Sequence, residues 1–135
     1  MATAKAEYLG ELRTTAKHLQ SGTEIITDAP TDNMGKGEAF SPTDLVATAL
    51  GTCMLTTIGI VANRHQWELA GMKMEITKVM SSEPPRKISE IHIRFNFAGI
   101  KLTDEQQIII KNTALTCPVA RSLDENIKQV VDFGF

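Results

Sequence analysis

The sequence predicts an α+β domain, and three observations carry that prediction. Short alternating segments fill the first thirty residues, one long apolar stretch occupies 42–65, and the remainder mixes alternating runs with shorter helical ones. At 135 residues the chain suits one hydrophobic core better than two modules, so residues 1–135 are expected to form a single domain.

YLGELRTTAKHLQSGTEIITDAP reads as an N-terminal β-meander. Leu12, Thr14 and Ala16 alternate with Arg13, Thr15 and Lys17, and Ser21-Gly22 marks a turn before Glu24–Thr27. DAPTDNMGKGEAF, residues 28–40, is a polar loop with two glycines and no core-forming period. A loop of this length is expected to have a function or to lie against a partner chain.

The long helix has a clear start. Ser41 suits the N-cap, Pro42 the first helical position, and Asp44 the third position of a capping box. Leu45, Val46, Ala49, Leu50, Cys53, Met54, Thr57, Ile58, Ile60 and Val61 then cover more than one face. A central helix buried on most sides is therefore expected, and a closely packed dimer would supply the cover that a short chain lacks.

Two further strands are predicted over Gly71–Val79 and Lys87–Phe97, the first with a late irregularity. In the second, Ile91, Ile93, Phe95 and Phe97 alternate with His92, Arg94 and Asn96. SSEPPR between them is a turn. Thr103 caps a second helix whose first turn holds Asp104 and Glu105. Pro118 ends that helix near Cys117, opens a short third helix over 118–125, and a last strand follows at Lys128–Phe133.

Composition and motifs exclude several functions. A formal net charge of -2 argues against a grip on a phosphate backbone, so no nucleic-acid partner is expected. MATAKAEYLGELR lacks the apolar run of a secretory leader, and no run of 18 residues is wholly apolar. Neither export nor membrane insertion is expected, which leaves a cytoplasmic location. In that reducing compartment a cysteine pair is more often reactive than structural. His18, His65 and His92 lie on separate elements with no ligand spacing, and no nucleotide loop occurs, so neither metal nor organic cofactor is expected.

The two cysteines are the remaining chemistry. Cys53, in mid-helix, is either a small core hydrophobe or a thiol kept in a dry place. It lies far from the helix's positive end, so reactivity would require a cation from elsewhere in the fold. Arg13 is the first candidate, because a guanidinium keeps its charge when buried; the alternative is an exposed strand arginine. Cys117, as N-cap of the short helix, is expected to be favoured as a thiolate by free amides and could attack an oxidised sulfur on Cys53.

SPTDLVATALGTC, followed 64 positions after Cys53 by TCPVARSL and preceded by DAPTDNMGKGEAF, resembles the osmotically inducible protein C and organic hydroperoxide resistance (OsmC/Ohr) superfamily. The order of elements agrees over almost the whole chain. The resemblance implies an intertwined homodimer of OsmC-like subunits, with the long central helix, further antiparallel strands and a second helix. It also implies thiol-dependent reduction of organic hydroperoxides without a cofactor. On this reading Cys53 is the peroxidatic residue and Cys117 the resolving one. Arg13 polarises the peroxide, and an external dithiol reduces the Cys53–Cys117 disulfide.

One position departs from the family. Relatives often carry Asn-Pro-Glu at the start of the central helix, with the glutamate holding the arginine. This chain has Ser41-Pro42-Thr43-Asp44, which puts Thr43 at that place and the carboxylate one residue, about 100°, further round the helix. Asp44 thus stands between two roles, helix capping and orientation of the arginine. The missing glutamate and the apolar helix also support a second reading, a non-catalytic OsmC-like dimer that binds an apolar ligand at its interface.

Overall fold

The computed structural model describes residues 1–135. The order is β1 (Ala4–Gly10), β2 (Arg13–His18), β3 (Glu24–Asp28), α1 (Pro42–His65), β4 (Lys73–Met80), β5 (Ile88–Asn96), α2 (Asp104–Leu115), α3 (Pro118–Ser122) and β6 (Lys128–Asp132), with a 3-10 turn at Thr31–Asn33. Residues 1–46 and 47–135 make two compact units.

The first unit is the expected meander, an antiparallel sheet in the order β1-β2-β3. Its β1–β2 turn places Glu11 and Leu12 at φ 53° and 63°, a left-handed pair that matches strand twist but that side chains adopt reluctantly. From the other turn the β2–β3 ladder sets Thr14 opposite Thr27 and Arg13 opposite Asp28. The Thr14 and Thr27 hydroxyls bond each other. Thr27 and Asp28 are the buried residues of this sheet, whereas Tyr8, Ile25 and Ile26 are exposed.

The segment after β3 is bonded to itself and to the meander. The amides of Asp28, Ala29 and Gly37 donate to the carbonyls of Phe40, Leu12 and Ala29. Gly35 is required here, since a Cβ would sit 1.7 Å from the Ala29 carbonyl oxygen.

α1 begins as its sequence predicts. The Ser41 hydroxyl accepts the Asp44 amide at 3.0 Å, and the Asp44 carboxylate accepts the Ser41 amide at 3.0 Å. Within the second unit its buried positions, Ala47, Leu50, Gly51, Met54, Ile58 and Ala62, form one stripe at helical spacing. Gly51 permits close approach to β4: a Cβ there would lie 2.5 Å from Ile76 Cδ1 and 2.7 Å from Met74 Sδ.

Two features of α1 bear on what was expected of it. It is not covered on most sides within one chain, because Ala49, Thr52, Thr56 and Ile60 form an exposed stripe. It is also long and apolar enough, by length and composition, to cross a membrane, with a mean hydropathy of 1.9 over its best window. Its threonines keep any run of 18 residues from being wholly apolar. In the helix, however, Thr52 and Thr56 donate their hydroxyls to the carbonyls of Thr48 and Thr52. A helix packed on a sheet meets the same criterion.

The second sheet has the order β4-β5-β6. β4 and β5 are antiparallel, with a register shift at Val79/Met80 where the irregularity was expected. β5 and β6 are parallel, which corrects the expectation of antiparallel strands throughout. The reason is the intervening pair of helices: α2 and α3 carry the chain back across the sheet, the crossover that parallel strands require. Ile91, Ile93 and Phe95 of β5 pack with Leu50, Met54 and Ile58 of α1 and with Ile110 and Ala114 of α2. Thr103 and Gln106 close a capping box at the start of α2. α3 is shorter than predicted and ends at Ser122, with Cys117 as its N-cap.

Candidate functional site

Two clusters contain Cys53, Cys117 and Arg13, three of the four residues that the sequence singled out. The first is the thiol pair of the second unit. Cys53 sits halfway along α1, half-buried and packed against the core, and Cys117 is buried. The Cys53 thiol lies within hydrogen-bonding reach of the Cys117 sulfur. Residues 64 positions apart therefore meet, because α1 and the α2–α3 junction pack into one core.

Local bonds fix Cys117. Its amide donates to the Ala114 carbonyl at 3.3 Å and its carbonyl accepts the Arg121 amide at 3.1 Å. Its sulfur accepts the Ala120 amide at 3.5 Å. Arg121 Nε donates to the Thr116 carbonyl at 2.9 Å, so this side chain completes the end of α2.

The electrostatics of Cys117 overturn one expectation. Burial pushes its thiol above the usual range, the Ala120 amide opposes that only in part, and Cys53 adds to the upward shift. The N-cap geometry is as predicted, but the favoured thiolate is not. A five-residue helix offers few free amides, and the cost of burying a charge outweighs them.

The second cluster belongs to the first unit. Arg13 Nε and Nη2 donate to the two Asp28 carboxylate oxygens at 2.7 and 2.8 Å, a two-bonded fork. The Asp28 side chain is fully buried and the Arg13 side chain 26% exposed, so the cation keeps an accessible edge. Asp28 also accepts the Glu38 amide at 3.1 Å, while Glu38 Oε1 stands 3.7 Å from Arg13 Nη2. The hydrogen bond from Arg13 holds the Asp28 carboxyl below its ordinary range, and the same bond raises the guanidinium.

Asp28 is the residue that sequence reasoning missed, because it was read as the first residue of a loop. The signal was present in the β2–β3 register, which sets it opposite Arg13. Asp44 occupies its capping position at the start of α1. No three His, Cys, Asp or Glu side chains converge on a point that could hold a metal ion.

Comparisons with known proteins fit this arrangement. The sequence model of the OsmC-like protein family matches residues 35–131. No curated protein matches the chain. A Psychrobacter arcticus structure, described provisionally as an osmotic stress induced and detoxification response protein, is 57% identical with a TM-score of 0.93. That match covers 98% of this chain and 95% of the other. A Legionella pneumophila organic hydroperoxide resistance protein is 19% identical with a TM-score of 0.69, covering 96% and 93% of the two chains. A Vibrio cholerae protein, described provisionally as an organic hydroperoxide resistance protein with captopril bound in one of its active sites, is 19% identical. Its TM-score is 0.74, and the match covers 100% and 94%. At those identities the last two establish the shared fold.

Proposed function

The chain belongs to the OsmC-like protein family, and from that premise we propose that it is a thiol peroxidase reducing organic hydroperoxides. The observation that carries the reading is the meeting of Cys53 with Cys117. The substrate class is taken from the Legionella and Vibrio proteins of the same fold, both described in terms of organic hydroperoxide resistance.

The chemistry needs only these sulfurs and an external reductant. The Cys53 thiolate attacks the distal peroxide oxygen, the O–O bond breaks, and that oxygen leaves with Cys53 as a sulfenic acid. The departing alkoxide takes up a proton and leaves as an alcohol. Cys117, deprotonating as it attacks, displaces the sulfenic oxygen as water and forms the Cys53–Cys117 disulfide. An external dithiol reduces that bond and becomes a disulfide itself. The raised Cys117 thiol suits a second-step residue: it stays protonated, and resistant to peroxide, until Cys53 has been oxidised.

Arg13 is the proposed cation that polarises the peroxide and supports the Cys53 thiolate. Asp44 is assigned the capping role its bonds support. Residues 1–135 act as one domain on this reading, and two copies form the working unit. The exposed stripe of Ala49, Thr52, Thr56 and Ile60 and the exposed apolar side chains of the meander support that assembly. Sedimentation at micromolar concentration checks it, with a monomer as the contradicting result.

Peroxide consumption in the presence of a dithiol tests the activity. Turnover of tert-butyl hydroperoxide that disappears in Cys53→Ser supports the reading. Absence of turnover in the reduced wild type contradicts it and favours the non-catalytic apolar-ligand binder.

A further inference from the structure

We propose that Asp28 is the positioning residue for Arg13, supplying from the end of β3 the carboxylate that aims the guanidinium; the inference rests on the peroxidase reading above. Three observations point to it. The fork uses Nε and Nη2, which fixes both the position and the plane of the guanidinium and leaves Nη1 outside the pair. Arg13 and Asp28 are direct partners in the β2–β3 ladder, so backbone hydrogen bonding holds the two Cα atoms in place beneath the pair. Asp28 is itself fixed, because its side chain is buried and its carboxylate also accepts the Glu38 amide.

This arrangement changes what Arg13 can offer a peroxide. A guanidinium matched by a full countercharge contributes little long-range field. It contributes N–H groups aimed in a set direction, and an aimed donor is effective only if its aim is held. The segment from Ala29 to Ala39 belongs to the same unit, since Asp28 binds Phe40 through its amide and Glu38 through its carboxylate. Loss of the Asp28 charge therefore releases the guanidinium and one tie of that segment together.

The test compares Asp28→Asn, Asp28→Glu, Arg13→Met and the double variant Arg13→Met/Asp28→Asn. It reads kcat/KM for tert-butyl hydroperoxide, thermal midpoint, and amide exchange over residues 29–39. Asp28→Asn is expected to lose roughly 10- to 100-fold in kcat/KM while still folded, with faster exchange in that segment. Asp28→Glu is expected to recover part of the loss, which a purely structural substitution would not do. The double variant is expected to be no slower than Arg13→Met alone, because an absent guanidinium cannot be misaimed.

A folded Asp28→Asn with wild-type kcat/KM overturns the inference and leaves the peroxidase reading intact. So does a double variant slower than Arg13→Met by the full Asp28→Asn factor. An inert wild type overturns the peroxidase reading first, and this inference falls with it. If Asp28→Asn does not fold, Asp28→Glu carries the test: it keeps the charge but shifts the fork by one methylene, and unchanged kcat/KM contradicts positioning.

Discussion

Cys53, in the middle of α1, lies within hydrogen-bonding reach of Cys117, the N-cap of α3. The two environments differ, and the difference is in keeping with the proposed order of reaction. Cys53 is half-buried and reachable, whereas Cys117 is buried and its thiol is pushed up by burial.

That asymmetry predicts different phenotypes for the two serine variants. Cys53→Ser should abolish peroxide consumption. Cys117→Ser should complete one turnover and stop at a sulfenic acid, seen as a single added oxygen by intact mass and trapped by dimedone. Equal loss without a trappable species in Cys117→Ser would contradict the proposed order.

The raised Cys117 thiol also predicts a pH dependence of stability. Below about pH 8.5, the ordinary thiol value, folded and unfolded chains both hold the proton and this group favours neither. Above it the unfolded chain ionises first, so stability falls as pH rises toward the folded value, by at most about 1.4 kcal/mol per pH unit. Urea midpoints of reduced wild type and Cys117→Ala should therefore converge between pH 8 and 10. A constant gap would count against a buried neutral thiol.

Asp28 predicts the opposite limb. Its folded carboxyl titrates below the ordinary value because of the hydrogen bond from Arg13, so its contribution is present above about pH 4 and is lost as pH falls through the folded value. The gap in thermal midpoint between wild type and Asp28→Asn should be widest near neutrality and narrow below about pH 4. A gap that stays the same as pH falls from neutrality to below about 4 would show that charge is not its source.

Much of this was legible in the sequence because local chemistry decided it. Ser41, Pro42 and Asp44 specify the start of α1, Thr103 that of α2, and Pro118 both the end of α2 and the opening of α3. The β5 alternation gives its core face directly, as the burial of Ile91, Ile93, Phe95 and Phe97 shows. What was misread depends on distant parts of the chain. The parallel β5–β6 pairing follows from where the α2–α3 crossover returns, and the state of Cys117 from a core that a capping motif does not reveal. Asp28 was hidden for a different reason: composition assigned it to a loop, while the register of the neighbouring hairpin assigned it to Arg13.

Gly35 offers a test of the link between the 29–39 segment and the arginine. Gly35→Ala places a Cβ against Ala29 backbone, 1.7 Å from its oxygen and 2.1 Å from its carbonyl carbon, so the chain beside Asp28 must move. The expected cost is about 1–3 kcal/mol in stability, read by thermal melting, together with reduced peroxide kcat/KM. Undiminished stability and rate would contradict the described packing of this segment.

A mass measurement decides most directly whether the two sulfurs react as a couple. Reduced protein is treated with one equivalent of an organic hydroperoxide under native conditions, then digested and mapped without reduction. The predicted product is lighter by two hydrogens, with the peptides bearing Cys53 and Cys117 joined; recovery of both as free thiols would contradict the account.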